Sequence, residues 1–200
     1  SPEDMYGLYY LAREYTFRGM WDKAIQWGSY LLARIKSTGN DDMLMEPALY
    51  VLLGESYDKI GAHDDCEFCY RESIKLHPTY RDAYIRLAQK IAYSNRPAEC
   101  FEILKEMDEK SVKVQDWRNL DYMWRGWKVG QIKADALMWM GRYEEAAVEM
   151  RSALEDIKSD DDKHEAQQEG FYGDLQFLQE RLKERFPDLV REVETKENKE

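Results

Sequence analysis

The pattern in this sequence that most resembles a chemical site is His63-x2-Cys66-x2-Cys69, because imidazole and thiolate are ligands that zinc prefers. A structural zinc site uses four convergent ligands, and no second ligand pair lies nearby in the sequence. Three cysteines without regular pairing are typical of reduced, intracellular thiols. The sequence therefore predicts no metal, no cofactor and a cytoplasmic location.

Pairs of acidic residues are the second feature that could do chemistry. Asp64-Asp65 and Glu144-Glu145 each stand at the start of a predicted helix. Carboxylates there complement the helix N-terminus, by about 0.3–1 kcal/mol each, which explains them without a role as general acid and base. The histidines fall in predicted loops or helix ends, with no serine, cysteine and acid placed around them. We predict that the chain has no catalytic residue.

Composition and charge exclude two classes of partner. The formal net charge is −11, and no stripe of Lys and Arg with interleaved aromatic residues appears, so a nucleic acid partner is not expected. The longest apolar run, residues 48–53, is far too short to cross a bilayer. Leu, Ala, Glu, Lys, Arg, Gln and Met dominate, and only 5 Pro are present, which favours helix.

An internal repeat of about 34 residues organises the chain. Counting residue 47 as position 1, its clearest copy has characteristic residues at positions 4, 7, 8, 11, 15, 20, 24, 27 and 32: Tyr50, Leu53, Gly54, Tyr57, Gly61, Cys66, Tyr70, Ser73 and Pro78. One earlier and two later copies have the same spacing. The pattern resembles the tetratricopeptide repeat (TPR), a pair of antiparallel helices.

Each repeat position has a physical reason. Large residues at positions 4, 7 and 11 share one face of the first helix, and small residues at 8 and 20 let the paired helices approach closely. Gly19, Gly61 and Gly141 are predicted to end first helices in the left-handed conformation. Cys66 and Cys100 both occupy position 20, which favours packing in place of alanine over metal binding.

The predicted fold is therefore all-α: a TPR-type right-handed superhelix of about four helix-turn-helix repeats plus a C-terminal capping helix. The repeats are expected at about 5–37, 47–79, 81–110 and 118–158, a capping helix at 159–186 and a frayed polar tail at 187–200. Residues 159–162 (Ser-Asp-Asp-Asp) can cap the helix that follows. The apolar spacing of the capping helix comes from Phe171, Leu175, Leu178 and Leu182.

In TPR arrays, positions 2, 5, 6, 9, 12 and 13 of the first helix tend to face a bound peptide. Arginine and large aromatic residues, which interface hot spots favour, stand at several of them. The predicted peptide-binding groove consists of Tyr9, Arg13, Glu55, Asp58, Arg86, Gln89, Tyr93, Asp135 and Trp139. The alternative is an ordinary solvated face with a few aromatic side chains packed between repeats.

Two aromatic clusters indicate further contacts. An end repeat is expected to have a polar outer face, but this one has the aromatic residues Tyr6, Tyr10 and Phe17. We therefore predict an interface there, with a second copy or an upstream domain. The chain also has no initiator Met, which indicates a fragment of a longer protein. The tryptophans Trp117, Trp124, Trp127 and Trp139 form either a groove floor, a dimer seam or the packing of a long helix.

Four segments resemble the C-terminal TPR region of bacterial and phage family 2 glycosyltransferases. They are residues 8–15 (LYYLAREY), 22–25 (DKAI), 77–84 (HPTYRDAY) and 141–146 (GRYEEA). The resemblance implies a catalytic α/β domain with an Asp-x-Asp metal motif upstream, and no such strand context exists in this chain. It predicts the accessory module of such an enzyme, and the alternative is a free-standing intracellular TPR adaptor.

Overall fold

Pairs of helices follow one another along the chain, as the repeat spacing predicts. The computed structural model describes residues 5–39, 45–110 and 126–183, and in these ranges it has ten α-helices and no strand. They are α1 (Met5–Phe17), α2 (Trp21–Thr38), α3 (Met45–Lys59), α4 (His63–Leu76), α5 (Arg81–Tyr93), α6 (Pro97–Lys110), α7 (Gly126–Trp139), α8 (Tyr143–Asp156), α9 (Asp160–Gln168) and α10 (Phe171–Lys183). The predicted all-α class is confirmed. The predicted tail at 187–200, Trp117 and Trp124 lie outside the described residues.

The same tight turn joins the helices of the first four pairs, because one residue in each turn adopts a left-handed conformation. Gly19, Gly61 and Gly141 have φ of 68°, 79° and 74°, as predicted. Asn95 takes this place in the third pair with φ of 58°, and asparagine tolerates the conformation better than most residues. The next residue donates a backbone hydrogen bond of 2.9–3.2 Å to the carbonyl five residues earlier, which is typical of a Schellman turn.

Small residues at repeat positions 8 and 20 lie at the contact between paired helices. All but Gly54 have no exposed surface: Ala12, Ala24, Cys66, Ala88, Cys100, Ala134 and Ala146. A Cβ added to Gly54 would lie 2.6 Å from Cε1 of Tyr70, so the tyrosine ring occupies the space of a side chain. The predicted packing role of Cys66 and Cys100 fits this burial.

The chain divides into two compact units. Unit 1 contains the described residues up to Lys90 and those from Lys105 to Lys110. Its core includes a cluster from α2, α3 and α4: Leu31, Ile35, Met45, Leu49, Tyr50, Leu53 and Cys69. A second cluster joins α1 and α2 to α3 through Ala12, Ala24 and Leu52. The first helices α1 and α3 therefore lie side by side.

Unit 2 contains Ile91–Leu104 and the described residues from Gly126. Its core centres on Trp127, which is fully buried with its ring edge-to-face on Phe171 at 5.9 Å between centroids. Trp127 is thus a core residue, one of the alternatives for the tryptophans. Leu137, Met150 and Leu175 complete this cluster with their neighbours.

The segment predicted as one capping helix, 159–186, is divided into α9 and α10 in the structure. Ser159 and Asp162 form a reciprocal capping box at the start of α9, which confirms the predicted cap. Gly170, with φ of 79°, breaks the helix before Phe171. The four apolar residues predicted for the cap all lie buried on α10. No described helix is long and apolar enough to span a membrane.

Candidate functional site

One face of α1 in unit 1 presents aromatic side chains to solvent. Tyr6 and Tyr10 are 48% and 49% exposed, and Phe17, the last residue of the helix, is 73% exposed. The Arg13 guanidinium carbon lies 5.1 Å from the Phe17 ring centroid, a cation–π distance. These four residues recur every three or four positions, so they share one face of α1. Tyr9 differs, since it is half-buried and packs against the Leu49 cluster.

The predicted groove residues of α3 and α5 are joined to each other by ion pairs. Arg86 donates to Glu55 of α3 at 3.2 Å and to Asp82, one turn earlier on α5, at 3.1 Å. Its side chain is only 17% exposed. Arg86 therefore links two repeats, although its repeat position predicted a ligand surface.

A second ion pair joins the same two helices. The Lys90 ammonium lies 2.5 Å from Asp58 and 2.6 Å from Nδ1 of His63. The Lys90 side chain is 13% exposed and that of Asp58 39% exposed, so the carboxylate lies nearer to solvent than its partner. Gln89 lies half-buried on α5. The inner positions of α3 and α5 are thus occupied by contacts within the chain.

The contact between α1 and α3 includes two polar side chains. The buried hydroxyls of Thr16 and Ser56 lie 3.5 Å apart. Unit 1 therefore combines exposed aromatic rings with ion-paired carboxylates.

In unit 2, two first helices end on highly exposed aromatic residues. Tyr93 ends α5 and is 88% exposed, and Trp139 ends α7 and is 78% exposed. Both occupy repeat position 13, which is also the position of Phe17 and Lys59. The sequence predicted Tyr93 and Trp139 as binding residues, and the structure leaves both side chains open to solvent.

Asp135 of α7 is not an open groove residue. Burial raises the pKa of its carboxyl to about 7, with a further contribution from the nearby Asp174 carboxylate of α10. One turn earlier on α7, Gln131 donates to Asp174 at 2.9 Å and to the Glu169 carbonyl at 3.3 Å. Asp135 therefore lies against the C-terminal helices. Its repeat position could not predict this contact, because the path of α10 is not a local property.

All three cysteine side chains are buried. Cys66, Cys69 and Cys100 are at most 4% exposed and form no disulfide. Burial raises the pKa of Cys66 to about 11 and those of Cys69 and Cys100 to about 12, so neutral thiols predominate at pH 7. Among the described residues, no group of three or more His, Cys, Asp and Glu side chains could hold a metal ion.

The paired acidic residues lie in the first turns of their helices. Asp64 and Asp65 fall in the first turn of α4, and Glu144 and Glu145 in that of α8. Glu145 also forms a bond of 2.6 Å with Arg142. This arrangement agrees with the capping role that the sequence predicted.

The ion pairs between repeats were not predicted from the sequence, although their signal was present. Glu55 stands at position 9 of one copy and Arg86 at position 6 of the next, both on the face where neighbouring first helices meet. Charges of opposite sign at two such positions indicate an inter-helix pair as readily as a ligand site. The repeat positions alone do not distinguish these two roles.

Comparisons with known proteins identify the fold. No family model matches the chain, and no curated protein matches it in sequence. Among solved structures, a thermophilic TPR protein of Thermus thermophilus has a TM-score of 0.61 at 19% identity, over 88% of this chain and 83% of that one. A double mutant of MamA RS-1 has a TM-score of 0.65 at 14% identity, over 100% of both chains.

A third structure, a putative kinesin light chain of Podosopora anserina with nearly identical TPR-like repeats, has a TM-score of 0.60 at 17% identity. It aligns over 98% of this chain and 97% of that one. None of these findings supports the resemblance to family 2 glycosyltransferases. At such low identities the similarity shows the fold alone, and that fold is of the all-α TPR type.

Proposed function

We propose that this chain is a protein–protein interaction scaffold, which binds a polypeptide through the exposed side chains at the ends of its first helices. The observation that carries the proposal is the recurrence of an exposed aromatic ring at repeat position 13. Phe17, Tyr93 and Trp139 are the three most exposed large apolar residues among those described.

The rings are not needed for the packing of the helices that bear them. Each precedes the left-handed turn residue by two positions, so it projects at a helix end. Tyrosine and tryptophan offer large contact areas at low cost in side-chain entropy, and they dominate interface hot spots. A rigid helix end that presents them loses little freedom on binding.

Selection of peptides from a displayed random library tests this proposal. Peptides that bind the chain are measured by calorimetry against the wild type, Tyr93→Ala and Trp139→Ala. We expect each change to weaken binding of most selected peptides by about 1–2 kcal/mol, the usual loss at an aromatic hot spot. Thermal melting first establishes that the variants fold normally.

Matched controls come from second helices. Phe68 of α4 and Val148 of α8 are exposed apolar residues at repeat position 22, with 57% and 59% of their surface open. Phe68→Ala and Val148→Ala remove similar apolar area on different faces. If those changes abolish peptide binding and the changes at Tyr93 and Trp139 do not, the proposal is wrong.

The finer hypothesis, an accessory module of a family 2 glycosyltransferase, depends on the sequence segments alone. In that setting the α1 face of Tyr6, Tyr10 and Phe17 would pack on a catalytic domain or on a second protomer. The gene sequence upstream tests it, because an α/β domain with an Asp-x-Asp motif is required. Without such a domain, the bacterial or phage glycosyltransferase assignment fails and the free-standing adaptor is favoured.

A cytoplasmic location belongs to the same proposal. Cys66 and Cys69 stand one helical turn apart on α4 and remain unpaired, as does Cys100. Free thiols of this kind persist in a reducing compartment. Fractionation of the native host, with the full-length protein detected in an oxidising compartment, would contradict this location.

A further inference from the structure

Within the described residues, α1 has no helix against the side that a neighbouring first helix contacts in the next two repeats. At repeat position 6, Leu52 of α3 is buried and clusters with Ala12 of α1. Arg86 of α5 stands at the same position and forms its ion pair with Glu55 of α3. In both repeats, a preceding first helix therefore contacts position 6. In α1, the first described helix, this position is Tyr10, which is 49% exposed.

The open side of α1 has the spacing of a coiled-coil seam. Tyr6, Tyr10, Arg13 and Phe17 follow one another at intervals of four, three and four residues, as the a and d positions of a heptad do. All four side chains are exposed. Residues with this spacing form a stripe that meets a second helix lying along the first. The partner that fits this seam is therefore a helix with a seam of its own.

The seam of α1 has the same spacing in both directions along the helix. In an antiparallel pair of two α1 helices in full register, Tyr6 of one copy lies level with Phe17 of the other, and Tyr10 lies level with Arg13. The first pairing brings two aromatic rings together, and the second places a guanidinium beside a ring. Both kinds of contact are favourable. The seam is thus complementary to a second copy of itself.

We propose that two copies of this chain associate through α1, as an antiparallel helix pair about a twofold axis. The second copy then supplies the neighbouring first helix that α1 lacks among the described residues. A single helix pair covers less than the roughly 1,600 Å² of a standard interface, so we expect a weak dimer with a Kd of about 10–100 µM. The contact does not use Tyr93 or Trp139 and shares only Phe17 with the proposed peptide site, so dimerisation and peptide binding can fail separately.

Sedimentation velocity at concentrations below and above this Kd measures the association. Tyr10→Glu places a charge in the middle of the seam and is expected to weaken dimerisation at least about tenfold. Tyr30→Glu is the matched control, because Tyr30 of α2 is 48% exposed and lies outside the seam. Circular dichroism establishes that both variants are folded. A wild type that remains monomeric far above the expected Kd overturns the proposal, and so does equal weakening by the two changes.

Cysteine cross-linking tests the antiparallel arrangement. A mixture of Tyr6→Cys and Phe17→Cys chains should form a disulfide-linked heterodimer on oxidation, because the two positions lie level and their Cβ atoms can approach closely. Neither variant should link to itself, since the two copies of either position are about 16 Å apart along the helix axis at a rise of 1.5 Å per residue. The native thiols of Cys66, Cys69 and Cys100 are buried and should not compete.

The cross-linked products distinguish the possible partners of the seam. Disulfide-linked homodimers of Tyr6→Cys alone would indicate a parallel pair, and a mixture without heterodimer would indicate a different partner, such as an upstream domain. Either result overturns the antiparallel contact. Oxidation traps a dimer even when little of it is present, so the loss of one aromatic ring in each variant does not hide a positive result.

Discussion

Replacement of Asp135 by asparagine should make the stability of unit 2 less dependent on pH. The carboxyl lies half-buried near Asp174 and has a pKa of about 7, above its ordinary value of 3.8. Because the pKa of Asp135 is higher in the folded state than in the unfolded state, only the folded state keeps the proton between about pH 4 and pH 7. Wild-type stability from this group is therefore present at acid pH and lost as pH rises from about 4 to about 7.

The size of the effect follows from the shift. One pKa unit corresponds to about 1.4 kcal/mol, so a shift of about three units sets a ceiling of about 4 kcal/mol. Water that reaches the half-buried carboxyl lowers the cost of its ionisation. We therefore expect the ionised Asp135 to reduce the free energy of unfolding by about 2 kcal/mol at pH 8. Asparagine keeps the shape of the side chain and has no charge. The free energy of unfolding of Asp135→Asn should therefore exceed that of the wild type by this amount at pH 8 and equal it near pH 4.5.

Urea unfolding followed by circular dichroism at pH 4.5, 6 and 8 measures the difference. Asp161→Asn is the control, because it removes an exposed carboxylate of α9 and should leave the slope between pH 6 and 8 unchanged. The reasoning is refuted if Asp135→Asn is no more stable than the wild type at pH 8, or if it is more stable by the same amount at pH 4.5 and pH 8. The Asp135 carboxyl would then have an ordinary pKa.

Two further predictions concern packing and the thiols. Gly54→Ala should lower stability by about 1–2 kcal/mol, because its Cβ would lie 2.6 Å from the buried Tyr70 ring. Gly173→Ala on α10 should raise stability by about 0.5–1 kcal/mol, because no atom lies within 4 Å of the new Cβ. Equal effects of the two changes in thermal melts would contradict both expectations. The three buried thiols should react with a disulfide reagent at pH 8 at least about 100-fold more slowly in the folded protein than in urea, and fast reaction of folded protein would show that they are accessible.

The amino-acid sequence determined the parts of this fold that depend on neighbours along the chain. Helical spacing, the left-handed turns at Gly19, Gly61 and Gly141, and the capping box at Ser159 involve residues within about five positions of one another. The small residues at positions 8 and 20 could also be predicted, because the repeat fixes which residues of a pair meet. Cys66 could thus be assigned to packing before its burial was known.

The tertiary structure alone decided which of the predicted binding residues are free. Arg86 and Glu55 pair across 31 residues of sequence, and Asp135 meets Asp174 from a helix 39 positions further on. Position 13 differs, because a residue at the end of a first helix has no helix turn beyond it to cover its side chain. Burial and charge pairing depend on the neighbouring repeat, and repeat spacing gives the position of a side chain without giving what lies against it.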